Sequence, residues 1–122
     1  MDERGFTLIE LLVVVTIVGV LTAIALPSLL SQPDKARDAS AKTEVRNAVT
    51  DMESCYVAAA SYVSCTAAPA TITDPTVSSY VATMISGSGV KYMIVRSDSG
   101  YARQCEVPPG HDRGGCRSDG TW

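Results

Sequence analysis

The beginning of the sequence is almost without charge. Residues 6–26 contain a single ionisable group, Glu10. At a rise of about 1.5 Å per residue, this segment forms a helix of about 32 Å, long enough to cross the hydrocarbon core of a bilayer. The scarcity of charge therefore predicts a transmembrane helix. The remaining residues, about 95, are enough for one small domain.

The sequence is also poor in the residue types that catalytic and metal sites need. Its only histidine, His111, lies in a glycine-rich stretch, and none of its cysteines forms a C-x-x-C pair. This spacing argues against a structural zinc site or a thioredoxin-like motif. The stretch SGSGVK lacks the spacing of a P-loop. We therefore predict no catalytic residue, no metal, no cofactor and no enzymatic activity.

The four cysteines are predicted to form disulfide bonds, which small domains often need. Disulfides persist in oxidising compartments, so this prediction places the C-terminal domain outside the cytoplasm. The basic residues after the apolar segment outnumber Arg4 before it, so charge counted alone would favour the opposite orientation. The cysteines outweigh this bias, because disulfides do not persist in reducing compartments. The cysteines are Cys55, Cys65, Cys105 and Cys116.

Residues 1–5, MDERG, form a short polar leader. The apolar segment after it is too long for the core of a secretory signal peptide, and no A-x-A cleavage pattern follows it. Glu10 lies inside that segment, where an unpaired carboxylate costs several kcal/mol. No other residue among 6–26 can pair with it. Cleavage after Gly5 would create a partner, the α-ammonium of Phe6, on the same chain or on a staggered neighbour.

The stretch RGFTLIELLVVVTIVGVLTAIALP, residues 4–27, resembles the N-terminal signature of type IV pilins and the related pseudopilins. The resemblance implies that a prepilin peptidase cuts between Gly5 and Phe6 and methylates the new amine of Phe6. It also implies that Glu10 acts in assembly. Gly19 and Pro27 match the family pattern as well, and the helix is expected to be weakest, and to break on packing, between them.

The same resemblance implies a structural subunit that begins as a prepilin in the cytoplasmic membrane. Helped by a membrane assembly platform, it would polymerise through its apolar helix into a cell-surface pilus. Three alternatives stay open. They are a pseudopilin of a type II secretion system with a periplasmic filament, a DNA-binding minor pilin of an uptake system, and a simple membrane-anchored ectodomain.

The pattern beyond Pro27 predicts an α+β fold. Apolar residues recur at helical spacing along one lane, so one helix, bent near Pro27 and Pro33, is expected to reach about residue 60. A loop over residues 64–79 leads to about three antiparallel strands within residues 80–107, which pack on the amphipathic half of the helix. We divide the chain into a leader (1–5), an assembly helix (6–30) and a globular domain (31–122). The lane contains Ala41, Val45, Ala48, Met52 and Cys55.

The cysteines allow three pairings, and chain geometry favours joining each to its neighbour in sequence. Cys55 can reach Cys65 if the helix ends by about Ser61 and the chain doubles back, because a bridge needs Cα atoms about 4.4–6.8 Å apart. Cys105 and Cys116 would close a loop rich in glycine and proline, residues 105–116.

Three arginines near the end of the chain are candidates for weak contact with DNA. Nucleic acid is nevertheless not the expected main partner, because the formal net charge is −3 and Asp112 and Asp119 lie among the arginines. The candidates are Arg103, Arg113 and Arg117.

Overall fold

The structure is a computed structural model that describes residues 5–30 and 32–122. The first four residues of the predicted leader lie outside the described residues, as does Ser31. The chain divides into two compact units, Met1–Pro33 and Asp34–Trp122.

The first unit contains helix α1, Leu8–Leu30. Its first turn is capped by Thr7, whose side-chain oxygen accepts a hydrogen bond from the Glu10 amide at 3.2 Å. Thr16 and Thr22 donate their hydroxyls to backbone carbonyls one turn earlier, each at 2.7 Å. Their polar groups are therefore satisfied inside the helix, as an apolar environment requires. Among the described residues, the helical run beginning at Leu8 is long and apolar enough to cross a membrane.

Helix α1 continues through both Gly19 and Pro27. Pro27 has no amide hydrogen, so the carbonyl of Ala23 lacks its usual helical donor there. The predicted break concerns the helix after packing in a filament, and it stays a prediction. The sequence predicts that the helix starts at Phe6. It starts two residues later, at Leu8, because Thr7 takes the capping position.

Helix α2, Gln32–Ala59, enters the second unit at Asp34 and buries one lane there, from Asp38 to Met52. Four of the five apolar residues predicted for this lane are buried, and Cys55 is half-buried. Ala60 ends the helix in a left-handed conformation with φ of 53°, and its amide donates to the Tyr56 carbonyl at 2.7 Å. This position agrees with the expected end before about Ser61. The lane also contains a buried acid, Asp38.

The sheet has four antiparallel strands in sequential order. The sequence predicted three of them and missed β1, which lies within the predicted loop 64–79. β1 has only three residues, too few to show alternation, and is defined by its pairing with β2, in which Ile72 lies opposite Ala82. The strands are β1 Thr71–Thr73, β2 Tyr80–Ile85, β3 Lys91–Ser97 and β4 Gly100–Glu106.

The core of the second unit lies between the buried lane of α2 and the inner face of the sheet. Two buried tyrosines, Tyr80 and Tyr92, come from the sheet. Tyr62, from the turn after α2, stacks on Tyr56 and meets Tyr80 edge-on, with ring centroids 4.6 and 4.7 Å apart. The largest fully buried side chains are Tyr62, Tyr80, Tyr92, Met52, Val45 and Val90.

Candidate functional site

The predicted processing site lies just before α1. Gly5 and Phe6 are exposed and precede the first helical residue, with 79% of Phe6 accessible. Glu10 lies in the first turn of α1 and is also exposed. None of the ion pairs formed by the described residues includes Glu10. The roles assigned to these three residues stay predictions.

The surface of α1 is apolar on every side. The structure buries none of the described residues of this helix. The exposed fraction of its leucine, isoleucine and valine side chains ranges from 48% at Val13 to 83% at Leu8. Burying one such side chain stabilises by about 1.5–3 kcal/mol, so this surface strongly favours leaving water.

Both disulfide bonds join cysteines that are neighbours in the sequence. Cys55 is bonded to Cys65 with a Cα–Cα distance of 6.0 Å, and Cys105 to Cys116 with a distance of 5.9 Å. The first bridge fixes the turn after α2. The second ties the C-terminal loop to β4.

Glu53 of α2 is the centre of a polar cluster at the side of the core. Its carboxylate accepts hydrogen bonds from the hydroxyls of Tyr101 at 2.6 Å, Tyr62 at 2.8 Å and Tyr80 at 3.3 Å. Arg96 Nε lies 3.8 Å from the same carboxylate.

This environment changes the pKa values of the cluster. Burial alone would raise the pKa of Glu53, but the three hydroxyl donors and the charge of Arg96 together lower it below its usual value of 4.5. Burial and the hydrogen bond to Glu53 raise the pKa of Tyr101 to about 12. The sequence pattern did not reveal this cluster, because its members come from five separate segments: α2, the turn after it, β2, β3 and β4.

The C-terminal loop is attached to α2 at Gly114. The Gly114 carbonyl accepts hydrogen bonds from Lys42 Nζ at 2.7 Å and from the Tyr92 hydroxyl at 2.8 Å. Gly114 has a φ of +54°, and a Cβ added there would overlap both the Asp38 carboxylate and the Tyr92 hydroxyl. Asp38 in turn accepts a short hydrogen bond from the Ser88 hydroxyl, which joins α2 to the β2–β3 turn.

Three cations surround the ring of Trp122. The distances to the ring centroid are 5.1 Å from Arg46 Cζ, 5.7 Å from Arg103 Cζ and 6.0 Å from Lys42 Nζ. The indole nitrogen donates to the Gln104 carbonyl at 2.9 Å and fixes the ring beside β4. We call Lys42, Arg46, Arg103 and Trp122 the Trp122 cluster. The spacing of Lys42 and Arg46, one turn apart on α2, is the only sequence signal for it.

The three arginines proposed for DNA contact are not in one place. Arg113 and Arg117 line a shallow depression together with His111, whereas Arg103 is not among its lining residues and packs against Trp122. All three side chains are exposed. Within the described part of the chain, no group of three or more His, Cys, Asp or Glu side chains could hold a metal ion.

Comparison with known proteins places these features in a family. A family model described as the prokaryotic N-terminal methylation motif matches residues 1–26. The chain is 32% identical over 100 residues to the type IV wide pilus major component PilA4 of Thermus thermophilus, covering 81% of this chain and 76% of that protein. It is 30% identical over 105 residues to the type IV major fimbrial protein FimA of Dichelobacter nodosus, covering 80% of this chain and 67% of that protein.

Other relatives match mainly through a shorter region. The chain is 46% identical over 45 residues to the type II secretion system core protein G of Pseudomonas aeruginosa, covering 37% of this chain and 32% of that protein. The chain thus spans a third or less of the length of several of its relatives. No solved structure matches it. The N-terminal motif, the α+β fold and the extended match to the pilus subunits agree, and the chain belongs to the type IV pilin family.

Proposed function

We propose that this chain is a structural, non-enzymatic subunit of a type IV pilus, cut between Gly5 and Phe6 and polymerised through α1. The observation that carries the proposal is the apolar surface of α1, which the described residues of the chain leave uncovered. Before assembly a lipid bilayer covers this surface, and in the filament the α1 helices of other copies do so.

Glu10 makes the proposal more specific. A carboxylate among packed apolar helices is stable only when it is paired or protonated. Cleavage after Gly5 supplies the ammonium group of Phe6, whose methylation keeps its positive charge. A neighbouring copy staggered along the filament would present this group to Glu10, so the pair fixes the register of packing.

The proposal assigns two kinds of partner besides the filament itself. A prepilin peptidase acts on the Gly5–Phe6 bond, and a membrane assembly platform moves processed subunits from the cytoplasmic membrane into a surface filament. A pseudopilin of a type II secretion system is a second candidate, supported by the similarity to core protein G over 45 residues. The longer match to PilA4, over 100 residues, favours the pilus.

Mass analysis of assembled material tests the processing step. We expect filaments sheared from the cell surface to contain a chain that begins with N-methylated Phe6. A subunit retaining residues 1–5 in the filament would contradict the proposal. Filaments confined to the periplasm, together with loss of protein secretion on deletion of the gene, would instead favour the pseudopilin.

Substitution of Glu10 tests the assembly step. We expect Glu10→Ala to insert and be processed, because the apolar surface of α1 is unchanged, yet to give few filaments. Glu106→Ala is the matched control, since it removes an exposed carboxylate whose one ion pair among the described residues is with Lys91, at 3.2 Å. Equal filament yields from the two variants would show that Glu10 has no role in assembly.

A further inference from the structure

Between Lys42 and Asp51, helix α2 carries opposite charges on its two flanks. Glu44 and Arg46 are two residues apart, a rotation of about 200° around a helix. Val45 between them is fully buried, so the two charged side chains leave the core on opposite sides. Lys42 lies one turn before Arg46 on the basic flank, and Asp51 lies two turns after Glu44 on the acidic flank.

The three cations of the Trp122 cluster form no ion pair with the described carboxylates. The ion pairs among the described residues are Arg37–Asp34, Lys91–Glu106 and Arg96–Glu53, so no member of the Trp122 cluster is paired with a carboxylate. Lys42 donates to a neutral carbonyl, and the indole ring faces all three cations. Like charges repel one another when they converge. An external anionic group would relieve this repulsion.

The acidic flank has the complementary arrangement. Glu44 and Asp51 line a shallow hollow with polar and small side chains of α2 and of the loop after it. Neither carboxylate forms an ion pair with any described residue. We call this surface the acidic hollow. Its other lining residues are Asn47, Thr50, Ala68 and Pro69.

We propose that the Trp122 cluster of one copy docks on the acidic hollow of the next copy in the filament. This inference rests on the proposed function. Two different surfaces on opposite flanks of one element make a head-to-tail contact, the type that repeats along an open helical assembly. Tryptophan and arginine are the residue types that most often dominate binding energy at protein interfaces.

A second copy explains more than another anionic partner would. A nucleic acid or an acidic polysaccharide would neutralise the Trp122 cluster but leave Glu44 and Asp51 unpaired. It would also approach a chain whose formal net charge is already −3. A second copy pairs both surfaces at once, and each added subunit repeats the same contact.

Charge reversal tests the contact in cells that produce only the variant chain. We expect Arg46→Glu and Asp51→Arg each to lower the yield of sheared filaments by about tenfold or more, because each places like charges opposite one another. The double variant carries both reversals in one chain and restores the attraction at every contact. We therefore expect its yield to return to within about twofold of wild type.

Two controls separate this effect from general charge effects. Arg117→Glu and Asp98→Arg change exposed charges that lie outside both surfaces, and we expect normal yields from them. Asp51→Arg leaves the Trp122 cluster untouched, so its loss of filaments cannot come from misfolding of that cluster. Far-UV circular dichroism of the purified Arg46→Glu chain shows whether the subunit is folded, because this signal does not depend on the contact between Arg46 and Trp122.

The outcomes also distinguish the two proposals. Absence of filaments from the wild-type chain would refute the proposed function. Normal wild-type filaments would leave the proposed function intact. In that case the docking inference alone is overturned if both single variants give normal yields, or if the double variant shows no recovery. A third result would also overturn the inference: Arg46→Glu assembles normally but is no longer retained on heparin. The Trp122 cluster would then bind a polyanion and not a second copy.

Discussion

Replacement of Gly114 by alanine is expected to detach the C-terminal loop from α2. Gly114 lies at a φ of +54°, where an alanine side chain costs about 1 kcal/mol. The added Cβ would overlap the carboxylate of Asp38 and the hydroxyl of Tyr92, so the loop has to move away from both.

The movement breaks two hydrogen bonds to the Gly114 carbonyl. The bond from the charged Lys42 is worth about 1.5–3 kcal/mol, and the bond from Tyr92 about 1 kcal/mol. Together with the backbone cost, the free energy of unfolding is expected to fall by about 4 kcal/mol. Gly110→Ala is the matched control. Its φ is +81° and no atom lies within 4 Å of an added Cβ, so only the backbone cost of about 1 kcal/mol applies.

The assay is thermal unfolding of the purified full chain in detergent, followed by the fluorescence of Trp122. Trp122 reports on the loop because its ring centroid lies 5.5 Å from that of Tyr92, whose hydroxyl binds the Gly114 carbonyl. For a unit of this size, 1 kcal/mol corresponds to about 4–8 °C in Tm, so the two variants should differ by at least about 12 °C. Equal Tm values would refute the reasoning, because they would show that the contacts of Gly114 contribute nothing to stability.

Two further predictions concern α2 and its end. The lowered pKa of Glu53 means that its contribution to stability is present above pH 4.5, the usual value, and is lost as the pH falls through the folded-state pKa. Glu53→Gln should therefore lower Tm at pH 7, and this deficit in Tm should shrink as the pH falls below 4.5. A deficit that is independent of pH would contradict this. Ala60→Gly should raise the free energy of unfolding by about 1 kcal/mol, because glycine relieves the left-handed strain at φ 53°. Ser61→Gly, one residue later, is the control, and an equal gain there would refute the explanation.

Features set by local pattern could be predicted from the sequence. The apolar segment follows from its continuous lack of charge, and the buried lane of α2 follows from its period of 3.6 residues. The three strands follow from runs of β-branched and aromatic residues separated by turn residues. The helix end before Ser61 followed from the reach of a disulfide bond. β1 could not be predicted in this way, because three residues show no period and only its pairing with β2 defines it.

The polar clusters escaped prediction for a different reason. The donors to Glu53 come from the turn after α2, from β2 and from β4, and no short-range pattern links them. Arg103 was grouped with Arg113 and Arg117 because they are close in sequence. Pairing in the sheet places Arg103 opposite Ile94, and its guanidinium lies against Trp122, nineteen residues further along the chain.

The consecutive pairing of the cysteines has a consequence for export. A chain that enters an oxidising compartment from its N-terminal side exposes Cys55 and Cys65 before Cys105 and Cys116. The bridges have sequence separations of 10 and 11, so oxidation in the order of arrival produces the native pairing. A subunit oxidised in that order needs no disulfide reshuffling.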